Sequence, residues 1–319
     1  MKQKIILSAS LLFLIVLIIV MSKDLFFTNN EGTNLYEYNV DKFKNVDSNM
    51  LCYKELGQIK PGDSKLYGIA IDEKNNVLIT TENRVIINNE NGDSIFSFKI
   101  ADNAGCIAAG PNGMIFLGYK KHLEVYTNEG KQVKKWNDIT GAPYITSISV
   151  NDSSVFVADA GNKLVHHFNY QGKLVNEIGK KDPEKGIPGL FIPSPYFDVL
   201  MGKNNEIWVI NTGRHSFESY TKEGELVTSF TKTSMTFEGF SGCCNPTHVA
   251  MLSDGSFVTS EKGIERVKIH SASGEFKCMV AASDQFIAGT TGLDIAVNSK
   301  DQIYILDPFK KMIRIFDKK

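Results

Sequence analysis

One order of segments recurs six times along this 319-residue chain: apolar strand, Asp/Asn/Gly turn, apolar strand, polar turn, alternating strand, Gly turn, alternating strand. The clearest copy is 145–179, ITSISVNDSSVFVADAGNKLVHHFNYQGKLVNEIG, followed by 197–230, FDVLMGKNNEIWVINTGRHSFESYTKEGELVTSF. The other copies begin at Tyr67, Cys106, Thr247 and Leu293. A unit of this size cannot bury both of its own faces, so each copy must stack on its neighbours. Six short four-stranded units that stack and close predict an all-β, six-bladed β-propeller with antiparallel blades.

The last copy is short. LDIAVN, QIYIL and MIRIF supply three strands before the chain stops at Lys319. YKELGQI (53–59) has the character of the missing outer strand, which predicts that this N-terminal strand joins the last blade and removes its open edge. The copies start near 67, 106, 145, 197, 247 and 293, so the intervals are 39, 39, 52, 50 and 46 residues. The surplus falls in 180–196, 231–246 and 281–292, each between one blade's outer strand and the next blade's inner strand. Connections of that kind share one face of a propeller, so all three should cap the same side over blades 3–5. Loops of that length inside a compact domain are usually functional or disordered, and any site is expected there, at the mouth of the central channel.

Before the repeats, residues 5–21 form an uncharged apolar run of 17 residues behind Lys2 and Lys4. At about 1.5 Å per residue it is near the short limit for a membrane span. It is longer than the usual apolar region of a cleaved signal, and no A-x-A-like site follows it. A signal anchor or signal peptide over 1–22, a tether over 23–51 (with 34–40 a possible stray strand) and a propeller over 52–319 is the expected organisation. The positive charges precede the span, which puts the propeller outside the cytoplasm, periplasmic or at the cell surface, or secreted if the signal is cleaved. Net charge is −1, which counts against nucleic acid as a partner.

GNKLVHHFNYQGKLVNEIG and TGRHSFESYTKEGELVTSF resemble NHL repeats, of the form DxGNHRIxxFxxxGxxxxxxG. The resemblance spans residues 66–319 and is most specific in blades 3 and 4. It implies a six-bladed propeller but not one activity, because rings of this type include RNA-binding modules, protein-interaction modules, and a few lyases and hydrolases.

The least ordinary segment is 238–248, EGFSGCCNPTH. Adjacent cysteines seldom bond to each other, since Cα atoms about 3.8 Å apart fall below the usual disulfide range. Cys243 and Cys244 therefore admit three roles: pairing with a distant cysteine among Cys52, Cys106 and Cys278, binding a soft metal ion with His248 or His215, or a redox-active or structural thiol pair. His215 stands at the histidine position of the NHL repeat and reads first as a turn residue. Arg214 beside it is the better charged candidate for the capped face. His166 and His167 are neighbours on one strand and point to opposite sides. His122 and His270 read as surface. Glu261, Lys262, Glu265 and Arg266 surround a turn of blade 5 and read as solvated turn charges, with Glu261 and Lys262 as alternative pocket residues beside Arg214, Asn245 and His248.

No phosphate loop, HExxH, G-x-S-x-G, Cys-x-x-Cys or c-type haem motif is present. Asp198, Asn211, Asn245 and Asp294 could be recruited to Ca²⁺ as in gluconolactonase-like propellers, but no motif fixes them. Propeller lyases of peptide amides place several histidines at the channel, where only His248 is expected here. The expected function is a membrane-tethered binding or scaffold module for a protein, peptide or small envelope ligand. The alternatives are a redox- or metal-dependent enzyme built on Cys243, Cys244 and His248, and a Ca²⁺-dependent hydrolase.

Overall fold

The computed structural model describes residues 14–19, 40, 43–137, 139–184 and 187–319. The chain divides into a unit of residues 1–39 and a unit of residues 40–319. In the first unit, residues 14–19 are helical with exposed apolar side chains. Among the described residues no helix is long and apolar enough to cross a membrane. The rest of the apolar run and most of 34–40 lie outside the described residues.

The second unit is a ring of six four-stranded antiparallel sheets. The innermost strands of blades 1–6 are Leu66–Ile71, Cys106–Ala109, Ile145–Val150, Val199–Met201, His248–Met251 and Ile295–Val297. Their second strands are almost wholly buried, as in Val77–Thr81, Ser154–Asp159 and Ile207–Asn211. The outermost strands, such as Leu226–Thr231, expose most of their residues. This gradient from continuously apolar to alternating is why the copies read as they do: inner strands are covered on both faces and outer strands on one.

The core consists of one apolar cluster at each blade–blade interface. Blades 4 and 5, for example, meet through Trp208, Phe217, Phe240, Val249 and Phe257. Blades 6 and 1 meet through Ile59, Leu66, Val77, Tyr304 and Ile313. Stacking, which no single copy can supply, is what buries these faces.

Tyr53–Ile59 forms the fourth strand of blade 6, paired antiparallel with Met312–Lys318 from Tyr53↔Lys318 to Ile59↔Ile313. A bulge between Glu55 and Gly57 interrupts the register, and Glu55 is ion-paired to Arg314. The segment just before it reaches blade 5: the Cys52 N–H donates to the Met279 carbonyl at 3.1 Å, and Cys52 is disulfide-bonded to Cys278. Among the distant partners weighed for Cys243 and Cys244, these two take each other, leaving Cys106, Cys243 and Cys244 free.

The surplus segments pack on the second–third strand turns of one face. The Phe191 N–H donates to Asn211 Oδ1 at 2.9 Å, and the Gly213 N–H donates to the Phe191 carbonyl at 2.9 Å. The His215 ring bonds Thr233 Oγ1 and the Gly242 carbonyl. The Gly289 N–H donates to Glu265 Oε1 at 2.8 Å. These loops are fixed to the blades rather than left free above them.

Candidate functional site at the capped channel mouth

Each innermost strand has one residue at an equivalent position: Gly68 and Ser147 within the strands of blades 1 and 3, Cys106 and His248 opening those of blades 2 and 5, and Asp198 and Asp294 just ahead of those of blades 4 and 6. Bulges in the first strands of blades 1 and 3 help set this register. At Gly68 a Cβ would stand 3.2 Å from the Cys106 Cα and from Thr80 Oγ1, so a larger residue there requires the strands of blades 1 and 2 to give by a few tenths of an ångström.

The polar members are concentrated in blades 3–6, on the capped face. Asp198 accepts from its neighbours on both sides: the Ser147 hydroxyl of blade 3 and, at 2.9 Å, the Val249 N–H of blade 5. Asp294 accepts from the Ile295 N–H at 2.8 Å and from the Ile69 N–H of blade 1 at 3.0 Å. These carboxylates brace adjoining blades. His248 Nδ1 lies 3.3 Å from Asp294 Oδ1 and 3.9 Å from Asp198 Oδ2. The His248 and Asp294 side chains are 21% and 19% exposed, so they are set deep but still meet water.

Burial disfavours charge at this depth. It pushes Asp294 up to about 6 against its two N–H bonds. It also raises Asp198, against the opposing pull of His248 and Ser147, and lowers His248, against Asp198. Cys106 is pushed well above a free thiol, first by burial and then by the negative charge of Asp294 and Asp198. A ¹³C titration of the Asp294 carboxyl is therefore expected to centre near 6, about two units above the ordinary value. Because the folded value exceeds the unfolded one, Asp294 contributes stability as pH falls from about 6 to about 4, to a limit of about 3 kcal/mol. His248 works in the opposite sense below about 6.5. A midpoint near 4 would mean that the channel floor is fully hydrated.

A second group stands above this floor. The Tyr196 ring meets the His248 ring edge-on at 6.2 Å and 90°. Lys262 Nζ lies 4.6 Å over the same Tyr196 ring. Lys262 also acts on Cys244. Burial pushes that thiol up, but the Ser194 hydroxyl, the Cys243 thiol and the Lys262 ammonium more than offset it and hold it below the usual range. Cys243 Sγ is 3.1 Å from Cys244 Sγ, and the hydrogen bond and charge of Cys244 raise Cys243. Cys243 is exposed and Cys244 is 1% exposed.

The structure thus links His248 to Lys262 through Tyr196 and Lys262 to the Cys243–Cys244 pair, and adds Asp198 and Asp294. Asn245 holds the frame of those links: its Nδ2 donates to the Ser241 and Lys262 carbonyls at 2.7 and 3.0 Å, and its Oδ1 accepts the Lys262 N–H at 3.0 Å. Arg214 is exposed on the neighbouring turn. His215 is buried in the left-handed region at φ 52°, where Lys163 and Lys311 stand in the corresponding turns of blades 3 and 6. Asn211 is held by Glu218 and Phe191. Among the described residues no three His, Cys, Asp or Glu side chains converge as a metal site.

Two sequence expectations are corrected. Glu261, Glu265 and Arg266 are not solvated turn charges; they are 1%, 3% and 1% exposed. Glu261 ends the second strand of its blade, where Asp159, Asn211 and Asp307 stand in blades 3, 4 and 6. It binds Arg266 Nε at 2.6 Å and Lys268 Nζ at 2.8 Å. His270 is not a surface residue either. It is 1% exposed, with Nε2 3.2 Å from the Glu238 carbonyl. Arg266 and Lys268 likewise donate to the Thr236 and Gly239 carbonyls. Three buried side chains of one strand therefore hold the 236–239 backbone that leads into the Cys-Cys loop.

No protein-family model matches the chain, and no curated protein sequence does. Solved structures do. A virginiamycin B lyase from Staphylococcus aureus is 16% identical with a TM-score of 0.54, over 79% of this chain and 80% of that one. A streptogramin B lyase is 13% identical with a TM-score of 0.59, over 84% and 97%. A Bacteroides thetaiotaomicron protein of unknown function is 14% identical with a TM-score of 0.61, over 82% and 72%. At these identities the likeness is one of fold, and the fold is a propeller.

Proposed function

We propose that this chain is an NHL-type propeller binding module, held outside the cytoplasm by its N-terminal apolar segment, that takes a ligand or partner on the capped face of blades 3–5. The observation that carries this reading is the convergence of anchored loops on a mouth whose floor is Asp198, His248 and Asp294 and whose wall is Tyr196 and Lys262. Two carboxylates beside a neutral imidazole favour a ligand with a primary amine or another multiple hydrogen-bond donor, and the Tyr196 face supports the group behind it. Binding is favoured over hydrolysis through a hydroxyl nucleophile because the Ser147 hydroxyl donates to Asp198 and, among the described residues, no hydroxyl is paired with the His248 imidazole.

The test uses the full-length chain in detergent, screened by thermal shift against short peptides with free amino termini, diamines and amino sugars. Hits are measured by calorimetry. Affinity for an amine is expected to rise from pH 5 to pH 7.5 as Asp294 ionises, and Asp294→Asn to weaken it by about tenfold or more, as for loss of a charged partner. If no compound binds, or binding ignores Asp294→Asn, the ligand reading is wrong. Protease shaving of intact cells checks the location: the propeller is expected to be cut only from outside.

A further inference from the structure

The Cys243–Cys244 pair has a chemistry that ligand binding does not use. The two sulfurs are 3.1 Å apart, within van der Waals contact, and occupy different environments. Cys243 is open to solvent, whereas Cys244 is enclosed between Ser194, Cys243 and Lys262. The third free thiol, Cys106, is buried at the channel floor, and the other two cysteines are bonded to each other. The structure therefore supplies an accessible sulfur and, beside it, a shielded one with a cation in place to carry its negative charge.

We propose that Cys243 and Cys244 form a reversible dithiol–disulfide pair at the channel mouth, with Cys243 as the sulfur that meets an external disulfide and Cys244 as the resolving and leaving thiolate. In oxidation, Cys243 passes its proton to Cys244, 3.1 Å away, and as a thiolate attacks an external disulfide RSSR, forming a mixed disulfide and releasing RS⁻, which takes the proton from Cys244 and leaves as RSH. The Cys244 thiolate then attacks Cys243 Sγ, forming the bond between neighbours and expelling the second sulfur as RS⁻. The pair begins with one proton and one negative charge, and two electrons pass to RSSR, which leaves as RSH and RS⁻. Reduction runs in reverse: a thiolate attacks exposed Cys243 Sγ, and Cys244 departs as the thiolate that Lys262 stabilises. Adjacent Cα atoms are closer than an unstrained disulfide prefers, so the bond is of the readily reduced kind. Oxidation also removes the thiolate facing Lys262, changing the charge of the mouth. The proposal does not depend on which ligand binds there.

The full-length protein is equilibrated in glutathione redox buffers, quenched in acid, alkylated and cleaved with trypsin. Residues 233–262 contain both thiols and end at the first Lys or Arg after Lys232. Under oxidising conditions this peptide is expected to lose about 2 Da and both alkylation sites, through the loss of two hydrogens, with no lasting glutathione adduct. Cys244→Ser is expected to trap the mixed disulfide on Cys243, while Cys243→Ser should stay largely unmodified. Lys262→Met, which leaves both thiols in place, is expected to raise the [GSH]²/[GSSG] midpoint by about tenfold, because the reduced state loses its stabilising cation. Two alkylated thiols at every poise, a persistent glutathione adduct on the wild-type chain, or an unchanged midpoint in Lys262→Met would overturn the assignment.

Discussion

Replacing Glu261 with Gln is expected to cost about 3–5 kcal/mol of unfolding free energy, the range for removing one partner of a buried ion pair. Glu261 is the only carboxylate bonded to Arg266 and Lys268 among the described residues, and all three are 1% exposed or less. Burial pushes Glu261 up, but Lys268 and Arg266 overcome it and the net shift is down, so the carboxylate stays ionised. Without it, two cations remain in an apolar enclosure beside Phe240, whose ring lies 4.3 Å from Lys268 Nζ. Urea denaturation at pH 7 measures the loss. A change below 1 kcal/mol would mean that water reaches the cluster. Replacing Glu261, Arg266 and Lys268 together with apolar residues should recover much of the stability while loosening the 236–239 loop that two of them hold. Burial also pushes Lys268 down to about 8, against Glu261. Its cost at neutral pH is therefore relieved as pH rises from about 8 towards 10, and stability climbs across that window.

The Cys52→Ser/Cys278→Ser variant is expected to lose about 3–5 kcal/mol and about 10 °C in Tm. The bond joins positions 226 residues apart, so opening it restores a long loop's freedom to the unfolded chain. The bond also anchors the start of Tyr53–Ile59, the strand that covers Met312–Lys318. Once that strand frays, blade 6 presents a bare edge, so the variant is expected to aggregate on heating, with light scattering rising alongside unfolding. Deleting residues 1–59 should produce the same outcome in stronger form. If the double-serine variant melted with the wild-type chain, the strand would be held by its ladder alone and the disulfide would be incidental.

Much of the architecture was legible because propeller copies are quasi-one-dimensional. Apolar runs bounded by turn residues place every blade, and the missing strand of the last copy points to 53–59. The column at the channel was legible too, although its members were read separately: His248 as a ligand or thiol partner, and Asp198 and Asp294 only as candidates for Ca²⁺. In LYGIAI, GCIAA, ITSISV, FDVLM, THVAM and LDIAV, one buried Ile or Val directly follows Gly68, Cys106, Ser147, Asp198, His248 or Asp294. Aligning the inner strands would have exposed Asp198 and Asp294 as neighbours of His248. The burial of Glu261, Glu265, Arg266 and His270 was harder to see, because charged residues near a turn signal usually face water. Here the 231–246 insertion folds back over them and supplies carbonyl partners.

The adjacent thiols, the apolar rhythm of the six copies and the uneven spacing that puts long loops after blades 3, 4 and 5 are properties of the sequence by itself, since each depends on residues near one another in the chain. The Cys52–Cys278 bond, the approach of His248 to Asp198 and Asp294, and the placing of Lys262 between Tyr196 and Cys244 were decided only by the tertiary structure. Ring closure brings the first strand to the last and turns one column of inner-strand residues towards a common axis. Contacts across that axis depend on how the blades close, which no local pattern encodes.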